Sequence, residues 1–217
     1  MSDAASVLLD NSTDSIGDDT EYAPLTSMWP SIAHGLVEVL RIKNGFYSFD
    51  SALLFRAIQH VGRPFGISEW NQPGLWKTLY DINLDGMLFF AEDLFGLQFC
   101  VSDNGFFRFD PETGGISAMG ATFMEWISIL ISDVDYYTGL PLAIEWRLVN
   151  GELPPGERLI PKLPFVLGGK YEIRNLYLAE EVKAIQFRAS IARQIRDLPD
   201  GSGVRLRLTT EGGGGIG

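Results

Sequence analysis

The chain has 217 residues, 46% hydrophobic and 21% charged, the balance of a folded protein with material for a substantial core. No apolar run approaches the roughly 20 residues that span a bilayer, and residues 1–24 carry neither a basic start nor an apolar stretch, so neither a membrane span nor a secretory leader is expected. The net charge is −11, but six of the 28 acids lie in residues 1–21, which hold no Lys or Arg, leaving 22 acids against 17 bases.

That balance, with no basic patch interleaved with aromatics, argues against nucleic-acid binding and suits a basic partner. A single cysteine, Cys100, rules out an intrachain disulfide and fits the reducing cytoplasm. With two histidines, His34 and His60, no His/Cys zinc site and no cofactor are expected.

Residues 1–24 read as a disordered acidic tail, rich in Ser, Asp and Gly. Ser31 then caps a helix carrying Ile32, Leu36, Val39 and Leu40 on one face, and Asn44-Gly45 ends it. Residues 46–60 combine an extended start with a helical turn. Residues 61–76 hold Gly62, Pro64, Gly66, Pro73 and Gly74 and read as loop, with Trp70 and Trp76 plugging the edge of the core.

Four short strands follow: Met87–Glu92, Leu97–Ser102, Phe106–Phe109 and Ile116–Met119. Tight turns join them at Asp93–Gly96, at Asn104-Gly105 (a type I′ signal with two positive φ angles) and at Asp110–Gly114. Alternation over Phe89, Leu97, Phe99, Val101, Phe107 and Phe109 predicts an antiparallel meander with one face against helices.

Thr122 and Glu125 form a capping box before Phe123, Trp126, Ile127, Leu130 and Ile131. A second helix is predicted near Leu140–Leu148, irregular chain over residues 151–169, and a strand over Lys170–Tyr177. Ala179–Leu198 is an amphipathic helix with Glu180 and Glu181 in its first turn and Arg193 and Arg196 near its end, matching the helix dipole. Val204–Leu208 adds a last strand, and residues 211–217 read as a flexible Gly-rich tail.

No catalytic set is evident. Glu92 and Asp93 are adjacent carboxylates, but neighbouring strand residues point to opposite faces; Asp93 reads as a turn residue and Glu92 as solvated. Asp110 and Glu112 fit a turn, and Cys100 a small buried thiol. Gly168-Gly169-Lys170 lacks the rest of a phosphate loop. Residues Ser132–Tyr137 are the candidate binding stretch. Asp133 and Asp135 would select a basic partner, and Tyr136 and Tyr137 would supply contact area. A solvated helix end with inward tyrosines is the competing reading.

Asn44-Gly45-Phe46, the run Phe89–Phe99 with its acidic glycine-bearing turn, Asp110–Gly114 and the helix start Thr122–Trp126 together resemble the core of the SUKH superfamily, the Smi/Knr-type proteins, over residues 28–131. Phe46 stands where a second glycine is frequent in that superfamily. The resemblance implies an α+β fold with an antiparallel meander sheet packed by helices. It implies that the chain is an immunity protein, not an enzyme, that binds and neutralises a cognate polymorphic or contact-dependent bacterial toxin, often a nuclease, by occluding its active site. The alternative it offers is an intracellular scaffold or regulatory adaptor. The expected organisation is one domain over residues 25–210, with residues 136–210 forming a strand–helix–strand extension beyond the match.

Overall fold

The computed structural model describes residues 3–18, 34–199 and 201–204. Its centre is a six-stranded antiparallel sheet with strands in chain order: β1 (Phe46–Ser48), β2 (Leu53–Phe55), β3 (Leu88–Asp93), β4 (Gln98–Ser102), β5 (Gly105–Asp110) and β6 (Gly115–Gly120). The helices are α1 (Asp3–Asp10), α2 (His34–Ile42), α3 (Ile67–Trp70), α4 (Phe123–Ser132), α5 (Val134–Thr138), α6 (Leu140–Asn150) and α7 (Glu181–Ile195). A two-stranded pair, β7 (Glu157–Pro161) and β8 (Leu176–Glu180), precedes α7. The architecture is α+β, and the expected meander is present with two further strands.

Those two strands correct the reading of residues 46–60. Phe49, Asp50 and Ser51 all have positive φ, so the chain reverses there instead of continuing as a helix. The reversal sets Phe46 opposite Phe55, with their rings stacked 4.9 Å apart. The β4–β5 hairpin lies where expected, but its turn is not type I′. Ser102 pairs with Gly105, so Asp103 and Asn104 are the central residues, and neither has positive φ.

Both faces of the sheet are covered over β2 to β5, where one was expected, while the edge strand β6 is exposed over residues 115–118. The register sets Phe106 opposite Val101 and Phe107 opposite Cys100, so successive phenylalanines enter different cores. In the first core α1, α2 and α4 pack on Phe55, Phe90, Phe99 and Phe106. Trp126 of α4 is its hub, with ring centroids 5.1 Å from Phe90 and 5.4 Å from Phe99. Its buried Nε1 donates to none of the described residues. The second core joins Phe89, Cys100 and Phe109 to Trp70, Trp76, Tyr80 and the α7 residues Ile185 and Ala189. Trp70 and Trp76 are fully buried there, not at an edge, and Cys100 is buried as expected, which pushes its thiol up to about 12.

Residues 3–18 are folded, which corrects the expectation of a disordered acidic tail for that stretch. Ala5 and Leu8 of α1 are buried in the first core. Residues 11–17 run along the free edge of β1, with Thr13 N–H donating to Tyr47 O at 2.8 Å and Phe49 N–H to Asn11 O at 3.1 Å. An open strand edge gains from such cover. The remainder of that tail, the Ser31 cap and the Gly-rich end lie outside the described residues.

At α4 the predicted cap is in place: Thr122 Oγ1 accepts from Glu125 N at 3.2 Å, and Glu125 Oε2 accepts from Ala121 N at 2.7 Å. The C-terminal extension differs from its prediction. β7 occupies chain read as irregular, and the following strand begins at Leu176 because residues 173–175 form a 3-10 turn. α7 then covers the second face of the sheet through Ile185 and Ala189. The predicted last strand lies outside the described residues except for Val204, which has no regular structure. Among the described residues no helix is long and apolar enough to cross a membrane.

Candidate binding cavity

Glu92 and Asp93 diverge at the end of β3. Glu92 is not solvated: it is 2% exposed and sits on the second-core face, opposite Gln98. Arg158 Nε donates to its Oε1 at 2.8 Å, and Gln98 Nε2 donates to its Oε2 at 2.7 Å. Arg56 Nη2 lies 2.8 Å from the same oxygen, an ion pair whose angle does not make a hydrogen bond. Arg56 Nη1 also donates to Glu181 Oε2 at 2.7 Å, and its guanidinium lies 3.7 Å from the Trp70 ring centre. Trp70 Nε1 closes the cluster by donating to Gln98 Oε1 at 2.9 Å. Burial pushes the Glu92 carboxyl up, but Arg56 and Arg158 more than offset this and hold it well below the usual carboxylate range. The cluster ties β2 and β3 to β7 and α7, and its charges are spent on one another.

Asp93 faces an open cavity of about 760 Å³ at the end of the sheet. The wall is assembled from the β3–β4 and β5–β6 turns, α5, the start of α6, the 165–171 segment and α7. Two aspartates shape the two turns. Asp93 Oδ1 accepts from Phe95 N at 2.9 Å and Leu97 N at 2.8 Å, while Asp110 Oδ1 accepts from Glu112 N at 2.8 Å and Asp110 Oδ2 from Thr113 Oγ1 at 3.0 Å. Gly96 has φ +71, and a Cβ there would meet Arg188 Nη2 at 2.6 Å. Gly139, with φ +77, ends α5 and brings its backbone against the Phe95 ring, 2.7 Å from where a Cβ would stand.

Electrostatically the cavity is mixed, with an excess of acid. Arg188 donates from Nε to Ala184 O at 3.2 Å and from its Nη atoms to the carbonyls of Phe95 and Gly96, so carbonyls enclose it. Arg108 on β5 donates to Tyr136 Oη at 3.1 Å. Burial works against the Arg108 charge, but Asp93, Tyr136 and Asp110 raise its pKa further. Burial pushes the Asp93 carboxyl up to about 7, against the Leu97 and Phe95 N–H groups and the two arginines. Burial also raises Glu112, which the Val166 N–H and the Arg188 charge offset only in part.

Of the four sequence-predicted residues, the structure brings two into the cavity wall, Asp135 and Tyr136. Tyr136 is 62% exposed. Asp133 instead caps α5, its Oδ1 accepting from Tyr136 N at 3.2 Å, and Tyr137 is half-buried against the first core. Asp93, Asp110 and Glu112, which the sequence reads as turn residues, also line the cavity, and Arg108, Phe165, Tyr171 and Arg188 are not singled out by the sequence as site residues. Phe165 and Tyr171 stack at 3.8 Å with rings 7° apart, and Phe95 meets both edge-on. Aromatic residues within the Pro/Gly-rich stretch 151–171 were the signal that could have found them. Among the described residues no group of three or more His, Cys, Asp or Glu is placed to hold a metal ion.

The fold and cavity define the class: an α+β protein whose antiparallel sheet is covered on both faces, with an acidic, aromatic-walled cavity at one sheet end. No protein-family model matches the sequence, and no curated protein does. Among solved structures the chain is similar to Atu4351 from Agrobacterium tumefaciens, at 14% identity and a TM-score of 0.53, over 87% of this chain and 88% of that one. At that identity the likeness concerns the fold alone.

Proposed function

We propose that this chain is a non-enzymatic immunity protein that binds a cognate bacterial toxin in the cytoplasm and neutralises it by covering the toxin's active site. The observation that carries the reading is the cavity rim. There, Tyr136 and Tyr171, each more than 60% exposed, flank carboxylates of which Asp135 has no partner among the described residues. Exposed tyrosines beside unpaired acids suit a protein surface that anchors in a cleft and selects basic groups. The SUKH-like pattern of residues 28–131 supports the toxin-neutralising form of that binding.

Charge supports it further. A nuclease toxin must hold a polyanion, so its active-site surface is basic, and a chain with net charge −11 is drawn to such a surface. Glu92, the carboxylate best placed in the strand for chemistry, is held by Arg56, Arg158 and Gln98. A disordered acidic tail would suit the scaffold or adaptor alternative slightly better, and residues 3–18 are folded instead. Co-expression with the product of the adjacent gene tests the reading. Binding and rescue of growth are expected, and failure to bind or protect would sink it.

A further inference from the structure

We propose that the cavity receives an arginine side chain of the protein partner, with Glu112 and Asp135 as its carboxylate ligands and the exposed aromatic rings as its walls. The proposal rests on the binding reading above and names the chemistry by which that site would recognise its partner.

Three observations carry it. Glu112 lines the cavity and is 4% exposed; its Oε2 accepts from Val166 N at 2.9 Å and the neighbouring Phe165 N–H also favours the carboxylate, but its buried Oε1 accepts a well-formed hydrogen bond from none of the described residues. A buried carboxylate oxygen without a donor carries a desolvation cost that an N–H would relieve, and because this oxygen is closed to solvent the Glu112 side chain must turn toward the cavity to meet one. Asp135 is the second observation, an exposed residue lining the same cavity whose carboxylate has no partner among the described residues. The third is the wall itself. The outer ring of the Phe165–Tyr171 stack is 63% exposed and presents a flat aromatic surface.

A guanidinium fits this combination better than an ammonium. It is planar, stacks on aromatic faces, and carries donors on several sides that reach separate acceptors at once. The resident charges agree: Asp110, Glu112 and Asp135 line the cavity against Arg108 and Arg188, and Asp93, raised to about 7, adds only part of a negative charge at neutral pH. Both arginines are engaged, Arg188 by three carbonyls and Arg108 by Tyr136. An added cation therefore meets acceptors that lack donors.

Titration of capped Gly-Gly-Arg-Gly-Gly into the isotope-labelled full chain, followed by backbone amide shifts, tests this directly. The arginine peptide should move the Leu97, Glu112 and Gly139 signals saturably in the millimolar range, the modest affinity of a single side chain. A lysine peptide should bind more weakly, and a citrulline peptide, which keeps the shape but not the charge, about tenfold more weakly. Glu112→Gln and Asp135→Asn should each weaken the arginine peptide while leaving the remaining spectrum in place. Equal binding of the citrulline peptide, tighter binding of a glutamate peptide through Arg108, or no saturable shift at the cavity would each overturn the proposal. The toxin assay stays separate. If the wild-type chain protects while the peptide arm fails, the neutralisation reading stands and the arginine site falls; if the wild-type chain does not protect, the reading itself falls.

Discussion

Glu92 and Asp93 are neighbours in the chain, yet they belong to regions built on opposite terms. Glu92 enters a closed cluster with Arg56, Arg158, Gln98 and Glu181, in which opposite charges lie against one another between two layers of the fold, although Arg56 Nε and Nη2 and Arg158 Nη2 donate to none of the described residues. Asp93 faces a cavity where Glu112 keeps a buried oxygen unpaired and Asp135 stands in solvent. Period-two alternation at a strand end produces this divergence, because successive side chains leave the sheet on opposite sides. A charge's surroundings, more than its residue type, decide whether it serves the fold or remains free to bind. Charges enclosed by opposite charges hold elements together. Charges at an open sheet end, beside exposed tyrosines, are free to meet another molecule.

The sharpest way to break the comparison is to open the closed side. Glu92→Gln leaves the buried Arg158 guanidinium without a carboxylate and Arg56 with Glu181 alone, and should cost roughly 3–5 kcal/mol in denaturant unfolding. A loss under about 1 kcal/mol would mean that the cluster is wetter and weaker than its burial implies.

Acid–base behaviour separates the two regions with opposite signs. The Asp93 carboxyl is raised to about 7 in the folded chain, above its unfolded value of about 3.9. Its contribution is therefore fully present below the unfolded value and is lost as pH rises through about 7. Glu92 is lowered, so its contribution is present above its unfolded value and is lost as pH falls toward its folded value. Asp93→Asn keeps an oxygen for the two turn N–H groups and should remove a stability loss of roughly 2 kcal/mol between about pH 5 and 8. If mutant and wild type show parallel pH profiles, Asp93 is not the buried acid described.

A helix cap belonging to neither region sets the scale. Thr122→Ala should cost about 1 kcal/mol by the same unfolding measurement. Tyr136→Ala should change stability least, by no more than about 0.5 kcal/mol, because the ring is exposed and its contacts, one hydrogen bond and a cation–π approach from Arg108 and an edge contact with Tyr137, all lie at the surface end of the cavity. A larger loss would place Tyr136 in the structural region and remove it from the binding face.

Local signals made much of the sheet legible in the sequence. Asp93 with Gly96, Asp110 with Gly114, and Thr122 with Glu125 each act within a few residues, and each turn or cap formed where its residue types placed it. Long-range contacts were not legible. The strands at Phe46–Ser48 and Leu53–Phe55 depend on pairing with Leu88–Asp93, and β7 depends on β8. Residues 3–18 look unfolded by composition because neither their buried contacts nor the β1 edge they cover is adjacent in sequence. Glu92 shows the same limit, since its partners Arg56 and Arg158 come from other elements.

The cavity was half legible for the same reason. Asp135 and Tyr136 stand out as an acid and an exposed aromatic at a helix end, a pattern contained in one short run. Arg108, Glu112, Phe165 and Tyr171 join them only through the packing of β5, its following turn and the 165–171 segment. Asp133 shows that residue type misleads when a local role competes: its carboxylate is used to start α5.

The most direct test of the central claim is survival of cells expressing the adjacent gene's product together with either the wild-type chain or an Asp135→Asn, Tyr136→Ala double variant of matched unfolding midpoint. The wild type should protect, while the double variant, equally folded, should lose protection. A double variant that protects as well as the wild type would contradict the claim.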